Sequence, residues 1–129
     1  MQADPKQAEA LAQAFFSLSN SVDEFRLRNY GALSAAQQQQ LKDLAQVLDM
    51  RAQQCTADAL AAILQGIQPH LRNIQQAIQG AQDALGRLND VVKGLTIVDA
   101  AVALVGAVMT GDLGSVGDNL GGLVQAIQS

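Results

Sequence analysis

The residues able to do acid–base or nucleophilic chemistry are few in this chain. His70 is the only histidine and Cys55 is the only cysteine. A catalytic histidine needs an orienting carboxylate and a reacting partner, and the sequence around His70, which follows Pro69, points to neither. We therefore expect His70 to be solvated or to cap a helix. Cys55 falls in an apolar helical stripe with Leu48 and Ala52, which favours a small core residue over a nucleophile.

Metal and phosphate sites lack the residues they require. Di-metal carboxylate bundles use inward-facing glutamates and Glu-x-x-His pairs, whereas the only glutamates here are Glu9 and Glu24. Asp83 and Asp90 lie one heptad apart on a polar face, where solvated charges are expected. No Gly-rich loop follows a strand. The sequence therefore predicts a protein that is not an enzyme and holds no metal and no cofactor.

The charge balance argues against nucleic-acid binding. The 129 residues include 8 Lys and Arg against 12 Asp and Glu, a net charge of −4. A nucleic-acid surface needs clustered basic residues, and these are scattered. A single cysteine forms no intrachain disulfide. The first residues lack the basic start and apolar run of a secretory signal, so we expect a cytoplasmic protein, with export by a route that reads no N-terminal signal as the alternative.

The strongest pattern is an apolar heptad repeat over residues 60–95. Apolar residues recur there at alternating spacings of 4 and 3, which places them on one face of a helix. The residues between them are polar, so the opposite face is expected to be solvated. The repeat predicts a core or contact seam, which consists of Leu60, Leu64, Ile67, Leu71, Ile74, Ile78, Leu85, Leu88 and Val92.

Helix start and stop signals predict one all-α domain over residues 1–129. Asp4-Pro5 and a capping box that begins at Ser34 start the first two helices. Gly94 is expected to end the third helix and Thr96 to start the fourth. The predicted helices span about 5–30, 35–66, 69–94, 97–109 and 115–128.

Two joints in this pattern leave alternatives. The apolar spacing slips to 4 and 4 around Leu48 and Ala52, which we interpret as a stutter within one helix. Gly66 and Pro69 carry a helix stop signal, although the heptad phase continues through them. This joint is therefore either a break between two helices or a kink in one long helix. Phe16 lies beside the first helix's seam and either widens it or marks an exposed contact.

These elements predict an antiparallel bundle of the four-helix type with a Gly-rich, apolar helical hairpin at its C-terminus. The apolar share is 49% and the aromatic share only 3%, so Leu, Val, Ile and Ala must form the core. The expected function is that of a non-enzymatic interaction or assembly module. Its heptad faces would bind another copy or a partner helix, and we expect a homo-oligomer.

The C-terminal third supports an alternative function. Residues 94–129 are apolar and contain seven glycines, so the 97–127 hairpin could leave the body of the protein and enter a bilayer. The same residues include no Lys or Arg, which removes the usual attraction to anionic lipid. Long Gln- and Ala-rich helices with such a hairpin resemble the α-helical pore-forming toxins in general layout. A 13-residue helix rises only about 20 Å, however, less than the ~30 Å hydrocarbon core, so burial is favoured over membrane insertion. The candidate membrane residues are Ile97, Val98, Val102, Val105, Val108 and Met109.

A second alternative is a carrier for an apolar ligand. A core this poor in aromatic side chains could leave a gap between loosely packed helices.

Overall fold

The structure is a computed structural model that describes residues 5–55 and 57–128. Within these ranges every regular element is helical, which confirms the all-α prediction. The Asp4 cap lies outside the described residues. Single 3₁₀ turns occupy Tyr30–Ala32 and Gln68–His70. The α-helices are α1 (Pro5–Arg28), α2 (Ala35–Gln53), α3 (Ala57–Ile67), α4 (Leu71–Arg87), α5 (Val91–Thr110) and α6 (Leu113–Gln128).

The helices pack around one apolar core. Helix α1 contacts α2 and α4, and α5 contacts α2, α4 and α6. Helix α3 joins α2 to α4 and touches α1, α5 and α6. The core consists almost entirely of Leu, Ile, Val and Ala, with two buried aromatic rings, Phe15 and Phe25. This arrangement sets α6 beside α4 on one side of the molecule.

The predicted second helix is wrong at its C-terminal half. Helix α2 begins as expected, because the Ser34 hydroxyl accepts a hydrogen bond from the Gln37 N–H and the Gln37 side-chain oxygen accepts one from the Ser34 N–H. It ends at Gln53, and α3 starts only at Ala57. The slip in apolar spacing therefore precedes a break rather than a stutter. The N–H of Cys55 donates to the carbonyl of Ala52 at 3.1 Å, which closes the last turn.

The joint near Pro69 is a break between two helices. Helix α3 ends at Ile67, one 3₁₀ turn follows, and α4 begins at Leu71. Pro69 has no N–H and pushes the preceding residue away from the helical conformation. Gly66 lies against the α5–α6 turn, where an added Cβ would stand 2.8 Å from the carbonyl oxygen of Gly111. The joint is therefore held by close backbone packing.

The predicted end of the third helix at Gly94 is also wrong. Helix α4 ends at Arg87, and the Arg28 guanidinium of α1 donates to the carbonyl oxygens of Leu85 and Leu88. A cation at the C-terminus of a helix satisfies carbonyls that have no partner within the helix. The interaction fixes the end of α4 against α1.

Helix α5 starts earlier than predicted, at Val91. The carboxylate of Asp90 accepts from the Lys93 N–H at 3.1 Å and caps the helix. Thr96 is not a cap, since its hydroxyl donates to the Val92 carbonyl within the helix. Gly94 lies inside α5 and leaves room for the ring of Phe25.

The last turn also differs slightly from the prediction. Gly111 adopts a left-handed conformation with φ of 73° and ends α5, a conformation that glycine tolerates without strain. Helix α6 starts at Leu113 rather than at Ser115. Asp112 explains the shift, because its carboxylate accepts from the Gly114 N–H at 3.1 Å.

At the other end of the chain, α1 stops at Arg28 and not at residue 30.

Candidate functional site

An open groove of about 670 Å³ lies between α4 and α6, and we call it the α4/α6 groove. Helix α4 and the turn before it supply one wall, and α6 supplies the other. Its volume falls within the range of small-molecule sites, which is about 300–1,000 Å³. It is lined by His70, Asn73, Gln76, Ala77, Gly80, Gly117, Leu120, Gly121, Val124, Gln125, Ile127 and Gln128.

Both walls of the α4/α6 groove carry small residues, so few side-chain atoms project into it. Ala77 and Gly80 lie about one turn apart on α4, and Gly117 and Gly121 do so on α6. A Cβ at Gly121 would meet no other atom within 4 Å. Glycine and alanine at such spacings let the backbone of another helix approach closely. Val124 is 42% exposed, so the groove also presents an apolar side chain.

The rim of the α4/α6 groove is polar but uncharged. It consists of the amides of Asn73, Gln76, Gln125 and Gln128, and none of the residues that line the groove is Lys, Arg, Asp or Glu. An occupant would therefore desolvate amides at the rim and no ionic side chain. Burying a charge without a partner costs far more than burying a hydrogen-bonded amide. The groove favours an apolar, neutral occupant.

His70 lies at one end of the α4/α6 groove and makes no side-chain hydrogen bond to the described residues. It is half-buried and occupies the N-cap position of α4, but its side chain makes no capping hydrogen bond. Its Nδ1 is shielded from solvent without a partner. Its Nε2 lies 3.5 Å from where a Cβ of Gly117 would stand. The ring therefore abuts α6 and has hydrogen-bonding capacity to spare.

The nine seam residues fall in three environments. Most are turned into the chain's own core, Leu88 is half-buried, and Val92 is 70% exposed and is therefore not a core residue. The heptad phase ends with α4, and Val92 lies in the first turn of a different helix. The buried seam residues are Leu60, Leu64, Ile67, Leu71, Ile74, Ile78 and Leu85.

The candidate membrane residues lie in or against the core. Ile97, Val98, Val105 and Val108 are fully buried, while Val102 and Met109 are half-buried. Among the described residues, α5 is the one helix long and apolar enough to cross a bilayer, with 20 residues and a mean hydropathy of 2.0. Twenty residues rise about 30 Å, so the length objection drawn from the sequence is wrong. Core helices of soluble proteins have the same length and composition.

Cys55 is buried, and its surroundings disfavour the thiolate form that acts as a nucleophile. Its Sγ donates to the carbonyl oxygen of Arg51 at 3.3 Å. Burial raises the pKa of the Cys55 thiol to about 11, so the nucleophilic thiolate is scarce at neutral pH. Within the described ranges no three His, Cys, Asp or Glu residues come together as metal ligands.

Exposed apolar residues on α1 form a weaker candidate surface. Phe16 is 39% exposed and Leu27 is 61% exposed. Their spacing of eleven residues places them on one face of the helix, three turns apart. Asn20 and Asp23 lie between them on that face. These side chains are therefore separated by polar residues and do not form a continuous apolar surface.

The chain has no significant match among protein-family models, curated proteins or solved structures. We therefore infer the function from the α4/α6 groove. The sequence assigns residues 117–122 to the Gly-rich helical hairpin and does not indicate that they form a surface groove. The spacing of Gly117 and Gly121 was the one sequence feature that could have indicated the groove. It indicates a groove only because Ala77 and Gly80 lie opposite on α4, which the sequence does not show.

Proposed function

We propose that this protein is a non-enzymatic helical interaction module that receives an apolar helix in the α4/α6 groove. The helix comes from another copy or from a partner protein. The observation that carries the proposal is an open, uncharged groove between two helices with small residues on both walls. A helix laid in an apolar groove is a common mode of peptide recognition.

The proposal moves the contact surface away from the heptad seam. Seven of the nine seam residues are buried in the core of the single chain, and exposing them to water would cost about 1.5–3 kcal/mol each. In this proposal α1, α2, α4 and α5 act as an antiparallel scaffold of the four-helix type. The Gly-rich α6, which forms a hairpin with α5, supplies half of the contact surface.

A matched pair of variants tests the proposal. Gly121 and Gly122 are adjacent, both are exposed on α6, and a Cβ at either meets nothing within 4 Å. Only Gly121 lines the groove. Gly121→Leu should fill the groove, whereas Gly122→Leu should leave it open. Both changes improve helix propensity by up to about 1 kcal/mol, so both variants should fold.

The measurement is fluorescence anisotropy of a labelled helical peptide of about 20 residues, long enough to hold a helix. The peptide is rich in Ala and Leu, with its lysines confined to the ends. Gly121→Leu should weaken binding by about tenfold or more, the equivalent of one buried apolar contact. Gly122→Leu should bind as the natural chain does. Equal binding by the two variants would overturn the proposal, and so would no binding by a natural chain that light scattering shows to be monomeric.

A membrane-active protein is the second candidate function. It is favoured by the 20-residue length of α5 and by its mean hydropathy of 2.0. In this hypothesis the α5–α6 hairpin leaves the core and enters the bilayer. Release of dye from lipid vesicles would support it. Inertness towards both neutral and anionic vesicles would exclude it.

An apolar-ligand carrier is the third candidate function. The α4/α6 groove has a volume of about 670 Å³, which suits a small apolar molecule as well as part of a helix. Native mass spectrometry of the purified protein distinguishes the two. A stoichiometric small-molecule adduct would favour the carrier, and a bare chain would count against it.

A further inference from the structure

We propose that a second pocket, which lies between α1 and α2, binds a phosphate group. We call it the α1/α2 pocket, and its volume is about 370 Å³. It shares no residue with the α4/α6 groove and is a separate site. The α1/α2 pocket is lined by Arg26, Tyr30, Ala35, Gln38, Gln39 and Lys42.

Folding brings two cationic side chains to the α1/α2 pocket, and no acidic residue lines it. Arg26 comes from the last turn of α1, and Lys42 comes from α2. The two positive charges raise the potential of the pocket in a chain whose net charge is −4. By contrast, no Lys, Arg, Asp or Glu lines the α4/α6 groove. An anion held between Arg26 and Lys42 would be attracted by both.

Both cations have hydrogen-bonding capacity that the described residues do not use. Lys42 is exposed, and its side chain makes neither a hydrogen bond nor an ion pair with them. The Nε of Arg26 lies 3.8 Å from a carboxylate oxygen of Asp23. That distance is too long for a hydrogen bond, and a pair of this kind near the surface is weak. The terminal nitrogens of Arg26 therefore keep their N–H groups for a ligand.

The other polar side chains of the α1/α2 pocket also have N–H or O–H groups to donate. The hydroxyl of Tyr30 makes no hydrogen bond to the described residues, and Tyr30 is 58% exposed. The Gln38 amide donates to the Tyr30 carbonyl at 3.2 Å, and the Gln39 amide donates to the Asp43 carboxylate at 2.8 Å. Each amide nitrogen carries two N–H groups, so one remains on each.

A phosphate group suits this set of donors better than a carboxylate does. The donors come from two helices and so approach an occupant from different sides, whereas the two oxygens of a carboxylate lie in one plane. A phosphate monoester presents three strong acceptor oxygens and carries a charge of about −1.5 to −2 at pH 7. Arginine binds two such oxygens through parallel hydrogen bonds, and lysine acts as a point charge.

The test is a titration of the isotope-labelled protein with inorganic phosphate at constant ionic strength, followed by amide chemical shifts in NMR. We expect shifts in residues 26–42 and a dissociation constant of about 1 mM, typical of a small ligand held by few contacts. Lys42→Gln should weaken binding by about fivefold, as expected for one exposed ion pair. Lys93→Gln is the matched control, because it removes the same charge from α5, outside the pocket. It should bind as the natural chain does.

Several results would overturn the phosphate site. Equal weakening by Lys42→Gln and Lys93→Gln would show that net charge, and not the pocket, attracts the anion. Unchanged amide shifts at about 0.1 M phosphate, where a millimolar site would be full, would exclude the site. Acetate that binds as tightly as phosphate would exclude the choice of ligand. Phenyl phosphate that binds more tightly than inorganic phosphate would support the site and identify the ligand as a monoester.

Discussion

At the scale of single residues, Gly94 shows how a missing side chain fixes the packing of two helices. It lies inside α5, and a Cβ there would stand 2.1 Å from the Phe25 ring of α1. No atom can be placed at that distance without moving the ring. The sequence alone indicated a helix end at Gly94, because the ring that needs this glycine lies 69 residues earlier in the chain.

Replacing Gly94 by alanine should therefore destabilise the protein. We expect a loss of about 1–3 kcal/mol in the free energy of unfolding, the usual cost of overpacking a core. Gly106→Ala is the control, since it lies in the same helix and a Cβ there meets nothing within 4 Å. It should stabilise the chain by up to about 1 kcal/mol through helix propensity. Urea unfolding measures both, and equal effects would contradict the packing of Gly94 on Phe25.

The thiol of Cys55 predicts a dependence of stability on alkaline pH. Burial raises the pKa of Cys55 from 9.0 to about 11, so the unfolded chain ionises first as pH rises. The stability contributed by the neutral buried thiol is present below pH 9 and is lost as pH rises towards 11. The natural chain should thus lose more unfolding free energy between pH 8 and pH 10 than Cys55→Ala does. Parallel pH profiles for the two chains would refute this.

At the scale of elements, a helix boundary could be predicted from the sequence where the hydrogen bonds that fix it join residues close together in the chain. The capping box at Ser34 starts α2 as its sequence predicts, because both of its hydrogen bonds join residues three apart. Asp90 and Thr96 are both acceptable cap residues. The packing of Phe25 against Gly94 shows that α5 runs through Gly94. The start of α5 therefore could not be predicted from the residues around it, because Phe25 is distant in sequence.

Asp90 should consequently matter more than Thr96 for the stability of α5. Asp90→Ala removes the hydrogen bond to the Lys93 N–H and should cost about 0.5–2 kcal/mol. Thr96→Ala removes an exposed hydroxyl bonded within the helix and should change stability by less than about 0.5 kcal/mol. Chemical denaturation of the two variants checks the order. A larger loss for Thr96→Ala would place the start of α5 near residue 97 after all.

At the scale of the whole molecule, the heptad repeat predicted which residues are buried, but it did not predict which residues form the groove on the surface. Its apolar residues from Leu60 to Leu85 were recognisable as one stripe, and the structure buries seven of them. That burial removes them from any partner, whereas the α4/α6 groove arises from residues about 40 positions apart. Ala77 and Gly121 have no sequence relation that would reveal their proximity. The groove therefore became visible only in the folded chain.

We propose the α4/α6 groove as the surface through which this protein binds a helix. The most direct test is amide hydrogen exchange, which reports protection along each helix. It should be compared between dilute and concentrated protein, with the helical peptide added if the chain stays monomeric. We predict added protection in α4 and α6, and none on the face of α1 that carries Phe16 and Leu27. Protection confined to α1, or unchanged throughout, would contradict the account.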